Sequence, residues 1–282
     1  MAKKATIKYL CVDTNIFIQC CLLEIDGDNL EVLNKLHDLL DKNKVKLLIP
    51  EVIKLEFYKV LKNKIDSLTN LIGVHKKNIN TDNFNKKIKE DLIKKLEECA
   101  EERRQISKKV TTEIELIFDH VNTIQVGLEL TPQIFVDAYK LSLSGDKPYK
   151  KEAGLDNLFQ QDCLIIESLR TFFRSLSDYE FYFCSQNKTD FAEKETKDME
   201  ALGVHKQIKN GFQHISYYEN LGKLLNKEFK SKISKETIQK LEDGKIAEAM
   251  DATTNTPSDN FNYPLYSDSG LGSGDQLSDL AS

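Results

Sequence analysis

Three carboxylates occupy apolar places in this sequence. Asp13 directly follows Tyr9, Leu10, Cys11 and Val12. An acid that ends a buried strand of an open α/β sheet stands where such sheets bind ligands. The same residue type also caps helices. Glu56 falls among Val52, Ile53, Phe57, Val60 and Leu61, and its spacing by four from 52 and 60 places it in their stripe. Asp162 shares a face with Leu158, Ile165, Ile166 and Leu169, as that stripe's one charge. A carboxylate so placed is costly unless it is paired with a base or bound to a metal. One at a time, a lysine or arginine partner explains each acid. Several acids converging without bases would repel one another, and a hard divalent cation such as Mg²⁺ or Mn²⁺ resolves that repulsion.

The elements that must position these acids can be read from the apolar pattern. Short apolar runs at 7–12, 45–49, 180–184 and 213–218 suit strands. Helices are expected at 15–24 and 30–40, from about 51 into the 60s after Pro50, over a charged stretch from about 83 to 120, after Pro132, and over 157–173. Residues 142–154 read as a loop. Strands alternating with helices predict an α/β fold with a largely parallel sheet. Residues 60–125 read as an added helical hairpin. The expected organisation is one domain over 1–225, a helical extension over 226–250 and a disordered acidic tail over 251–282.

Composition excludes several classes. The 282 residues carry 40 Lys+Arg and 45 Asp+Glu, a net charge of −5, so a uniformly basic coat protein is ruled out. All five excess acids lie in 251–282, which has no Lys or Arg. Residues 57–110 run the other way, with 14 basic residues against eight acids. Mean hydropathy is −0.44, and no apolar run approaches the ~20 residues of a membrane helix. No signal peptide is evident, so a cytoplasmic location is expected. The six cysteines form no C-x-x-C and read as buried hydrophobes of a reducing compartment. The five histidines form no H-E-x-x-H, which argues against a zinc hydrolase.

Four segments, in order, resemble the PIN-domain nucleases. Val12-Asp13-Thr14-Asn15 is similar to their opening strand-Asp signature, and Pro50 to Phe57 to a second motif whose acid falls at Glu56. Asp162 to Leu169 resembles the third, and Phe183 to Phe191 the fourth. The long 60–125 insertion resembles larger bacterial PIN-like proteins. The resemblance implies a flavodoxin-like parallel sheet and Mg²⁺- or Mn²⁺-dependent cleavage of RNA, sometimes DNA. Where many members carry a fourth acid, this chain has Asn187, with Asp190 three residues on.

On that resemblance Asp13, Glu56 and Asp162 are expected metal ligands. Asn187 or Asp190 completes the site, and Thr14 or Ser185 positions a water or a carboxylate. Asn15 is expected to orient Asp13, while Glu51, Asp156 and Glu167 read as exposed or capping. Lys86, Lys87, Lys94, Lys95, Lys150 and Lys151 are candidate phosphate contacts. The partner is expected to be nucleic acid, RNA above all, with no membrane and with a second copy or an inhibitory protein as further candidates. The implied activity is an endoribonuclease in a toxin or phage-defence role. The alternative is an inactive PIN-like scaffold that binds RNA or a protein, favoured by Asn187.

Overall fold

The computed structural model describes residues 6–22, 28–82, 84–127, 132–144, 148, 161–192, 204, 206–239 and 241–242. The acidic tail and the candidate contacts Lys150 and Lys151 lie outside them. Five parallel strands form one sheet: β1 (Ile7–Val12), β2 (Lys46–Pro50), β3 (Thr123–Val126), β4 (Tyr179–Cys184) and β5 (Ile215–Tyr218). Their order is β3-β2-β1-β4-β5, the flavodoxin-like α/β class. β1 lies at the centre, in register with β4 from Ile7↔Tyr179 to Val12↔Cys184 and with β2 from Tyr9↔Lys46 to Cys11↔Leu48.

Central strands of a parallel sheet are covered on both faces and need an unbroken apolar run. Tyr9 to Val12, Leu47 to Pro50 and Phe181 to Cys184 meet that need and are buried. The edge strands are shorter and more polar. β3, TIQV, buries only Val126 and is not among the expected strands, since its first three residues fall within the stretch read as hairpin. β5 starts two residues later than expected.

Helices pack on this frame. α1 (Thr14–Leu22) leaves β1, and α2 (Asp28–Asp41) returns to β2. α3 (Glu51–Thr81) continues well past the expected end in the 60s and pairs with α4 (Lys86–Phe118). Near the sheet, Leu61, Val110, Ile114, Ile117 and Phe118 are buried. Phe17, Phe57 and Phe118 meet edge to face there, with centroids 5.0–6.3 Å apart. Farther out the hairpin is mostly exposed, and Lys76 pairs with Glu97 at 2.5 Å across it.

α5 (Pro132–Ser144) packs on α6 (Gln161–Phe173), which leads into β4. Ser142 to Ser144, read as the start of a loop, are the end of α5. Short helices α7 (Lys188–Phe191) and α8 (Lys206–Lys209) precede β5, and α9 (Leu221–Phe229) follows it. The segment beyond α9 joins the body: Ile233 and Leu241 are buried, and the Thr237 hydroxyl donates to Glu31 at 2.7 Å. Of the six free cysteines, Cys99 alone is exposed, contrary to the expectation that all are core residues.

Candidate active site

The sheet order makes β1 the reversal point. From β1 the chain builds outward to β2 and β3, then returns to β4 and β5 on the other side. In open α/β sheets ligands bind in the crevice beyond the carboxyl ends of the strands at such a point. Here Asp13 directly follows β1 and Ser185 directly follows β4, and the Asp13 N–H donates to the Cys184 carbonyl at 2.9 Å. Glu56 lies in the second turn of α3, which starts at the carboxyl end of β2. Asp162 is in the first turn of α6.

Hydrogen bonds join these residues in one arc. Asp13 is 4 % exposed; its Oδ1 accepts from the Thr14 N–H at 2.7 Å and its Oδ2 from the Ser185 hydroxyl at 2.6 Å. A capping side chain accepts from the second or third helical N–H, so bonding to the first residue of α1 is not that role. The Thr14 hydroxyl donates to Glu56 Oε2 at 2.7 Å; the Ile53 carbonyl, at 3.4 Å, is the poorer acceptor. At the other end, the Asn187 backbone N–H donates to Ser185 Oγ at 3.0 Å, and its side-chain amide to Asp162 Oδ2 at 3.0 Å. The arc therefore runs Asp162, Asn187, Ser185, Asp13, Thr14, Glu56. Asn15 braces it: its amide donates to Ser185 Oγ at 3.5 Å, and its Oδ1 accepts from the Gln186 N–H at 3.3 Å.

Electrostatics set this cluster apart. Burial pushes the Asp13 carboxyl above the usual carboxylate range, and bonds from Ser185, Thr14 and Asn15 offset that only in part. Burial also raises Glu56; the Thr14 hydroxyl counters it, the Asp13 charge adds to it, and Lys59 opposes it weakly. Among the described residues, no ion pair closes on Asp13 or Glu56. The donors that hold them are neutral hydroxyls and amides, which fix a carboxylate without cancelling its charge. Carboxylate oxygens with such support are the donor set hard divalent ions prefer.

The remaining expected residues fall as follows. The Asn187 side chain bonds an arc carboxylate; Asp190 is fully buried in α7, its N–H bonded to the Asn187 carbonyl at 3.3 Å. Lys86, Lys87, Lys94 and Lys95 are exposed on α4, where Lys86 and Lys94 approach Glu90 and Glu98 at 3.9 and 3.7 Å. Glu51 is half-buried, and Asp156 lies outside the described residues.

Glu167 corrects the reading that made it exposed or capping. It is buried and ion-paired to Arg170, three residues on along α6. Arg170 also reaches the Ile208 carbonyl at 3.5 Å, and Gly211 makes room for it, since a Cβ there would meet the Arg170 Cγ at 2.7 Å. The sequence reading also missed Tyr217, whose hydroxyl donates to the Ser185 carbonyl. Its place at the end of β5, next to the end of β4, is the signal that could have found it.

Among the described residues, the three potential ligands drawn within 4.8 Å of one another are His37, Asp41 and His120, and the arc acids are not drawn so tightly. The Asn122 N–H donates to His120 Nδ1 at 2.9 Å, and Nε2 lies 3.1 Å from Asp41 Oδ1. Nδ1 thus uses its lone pair as an acceptor, and Nε2 keeps the proton it gives to Asp41. Metal-bound histidines use the opposite arrangement, with the second nitrogen donating. The cluster reads as a hydrogen-bonded clasp between α2 and the turn before β3.

The fold is a parallel α/β domain with Asp13, Glu56 and Asp162 on three separate elements near its switch point. The chain belongs to the PIN-domain family, whose sequence profile matches residues 10–191, from β1 through α7. PIN domains are generally metal-dependent nucleases, often ribonucleases, and usually use divalent ions such as Mg²⁺. No curated protein and no solved structure matches the chain.

Proposed function

We propose that this protein is a Mg²⁺- or Mn²⁺-dependent endoribonuclease whose site is the arc from Asp162 to Glu56. The observation that carries the reading is that Asp13 and Glu56 are held side by side through Thr14, with raised pKa values and no ion pair. Asp13, Glu56 and Asp162 are the ligands of the ion. A bound ion would neutralise charge on the scissile phosphate and acidify a water.

The chain's own groups divide the remaining work. The Ser185 hydroxyl has one proton and gives it to Asp13; the Thr14 hydroxyl gives its proton to Glu56. Both hydroxyls therefore hold carboxylates in place. Asn187 does the same for Asp162 through its amide. A second acid at that position would repel Asp162, so the amide favours a site with fewer negative charges.

The lysines of the outer hairpin are proposed to carry substrate phosphates, since Lys and Arg supply the salt-dependent part of nucleic-acid affinity. Reversing Lys86, Lys87, Lys94 and Lys95 to Glu should weaken RNA binding and flatten its salt dependence; an unchanged slope removes the hairpin from the substrate path. The wider setting proposed is a toxin or phage-defence ribonuclease, after the larger bacterial proteins the chain resembles.

The deciding test is digestion of single- and double-stranded RNA and DNA with Mn²⁺, with EDTA, and with Asp13→Asn. The expected result is internal cleavage of RNA by the natural chain with Mn²⁺ alone. Intact substrates throughout, with folded protein that still binds RNA, would favour the scaffold reading that Asn187 supports.

A further inference from the structure

The opposite end of the sheet carries a second feature, independent of the nuclease reading. A cleft of about 710 Å³ opens there between the C-terminal ends of α2 and α9, beside the start of β1. Five lysines line it, Lys8, Lys35, Lys42, Lys44 and Lys230, against two acids, Asp38 and Glu228.

The acids are already engaged. Asp38 pairs with Lys42 at 3.5 Å, while Glu228 accepts the neutral Tyr218 hydroxyl and keeps its charge. Lys8 is held by Glu180 at 3.4 Å and by the Glu228 carbonyl at 3.2 Å. That leaves Lys35, Lys44 and Lys230, none of which has an ion-pair partner among the described residues. The two helix C-termini at the cleft contribute roughly half a negative charge each. Set against three ammonium groups without ion-pair partners among the described residues, these half-charges and the Glu228 carboxylate leave an excess of roughly one positive charge.

The lysines are also well anchored at their backbones. Asn43 (φ 49°) and Lys230 (φ 56°) take left-handed conformations that close the two helix ends. The Lys44 N–H bonds the Leu39 carbonyl at 2.9 Å, and the N–H groups of Lys230 and Ser231 bond the Asn226 and Leu225 carbonyls at 3.1 and 3.2 Å. A left-handed lysine at an exposed helix end has no local reason to be preferred over glycine or asparagine.

We propose that this cleft binds a phosphate-rich anion, the three free lysines contacting its phosphate oxygens. The ligand is either a nucleoside polyphosphate or a stretch of RNA backbone. The length of β1, roughly 16 Å from Lys8 to Asp13, keeps the cleft apart from the carboxylate arc.

The test measures binding in EDTA, which removes ion-bridged binding at the arc. The probes are pyrophosphate and ATP by calorimetry, and a labelled single-stranded RNA by anisotropy. The variants are Lys35→Gln/Lys44→Gln/Lys230→Asn, in which asparagine suits the left-handed position, and Lys35→Arg/Lys44→Arg/Lys230→Arg. The proposal expects the neutral variant to lose at least tenfold in affinity with an unchanged melting temperature, and the arginine variant to retain binding. Binding of pyrophosphate and ATP identifies a nucleotide site. Loss confined to RNA, with the salt slope falling by about 2, identifies a strand contact. No binding of any probe by the natural chain, or equal binding by the neutral variant, overturns the proposal. Neither outcome bears on metal-dependent cleavage.

Discussion

The two ends of the sheet treat their carboxylates in opposite ways. Beyond the carboxyl ends of the strands, Asp13 and Glu56 rest against hydroxyls and amides, and burial raises both. At the other end Asp41 meets His120 at 3.1 Å, Glu113 meets His37 at 2.6 Å and Asp38 meets Lys42 at 3.5 Å. Every acid in that second group has a nitrogen partner within the chain. The acids of that second group meet basic nitrogens, whereas Asp13 and Glu56 are held by neutral groups. Glu167, buried yet paired to Arg170, belongs with the structural acids although it shares α6 with Asp162.

Four outcomes test that division, from the largest to the smallest. Asp13→Asn should lower Mn²⁺-dependent cleavage more than 100-fold, beyond the 10–100-fold typical of groups that only support a ligand; retained turnover in folded protein would erase the contrast. Arg170→Ala should cost about 3–5 kcal/mol of stability, because it strands a buried carboxylate. The melting temperature should fall while the remaining folded enzyme keeps its turnover, and a loss of turnover with no loss of stability would move Glu167 to the functional side.

Asn187→Ala should weaken Mn²⁺ binding by roughly tenfold through loss of the amide on Asp162, as read by a thermal-shift titration. An unchanged titration would release Asn187 from that role. The smallest effect is on metal-free stability. The folded Asp13 and Glu56 carboxyls keep their protons to higher pH than unfolded ones do. Their ionisation therefore leaves the fold at full stability below the unfolded pKa near 4 and erodes it as pH rises through the elevated folded values. In EDTA at neutral pH, Asp13→Asn should melt higher than the natural chain, since it removes the charge that burial disfavours. A lower melting point would show that Asp13 stabilises the fold.

Much of the frame was legible because parallel central strands need unbroken apolar runs. IKYLCV, KLLI and FYFC supply them, and Asp13 stands out as the charge that ends the first. The edge strand TIQV was not legible, since an edge needs only partial burial and its polar residues look like a loop. Glu167 was misread because one turn separates it from an arginine that could equally point to solvent; only tertiary packing around Gly211 turns that arginine inward. The amide of Asn187 on Asp162 joins residues 25 apart in the chain, and no local pattern encodes it. The lysines of the second cleft come from three distant segments, so their meeting depends on the sheet order.

α3 is unbroken from Glu51 to Thr81, so Glu56 and the hairpin tip belong to a single rod. About 37 Å of helix separates them. A load that swings the tip by roughly 3 Å tilts the rod by about 5° at its root, where the Glu56 side chain meets Thr14. The hairpin is thus a continuation of the helix that carries Glu56, and its tip and the arc share one axis.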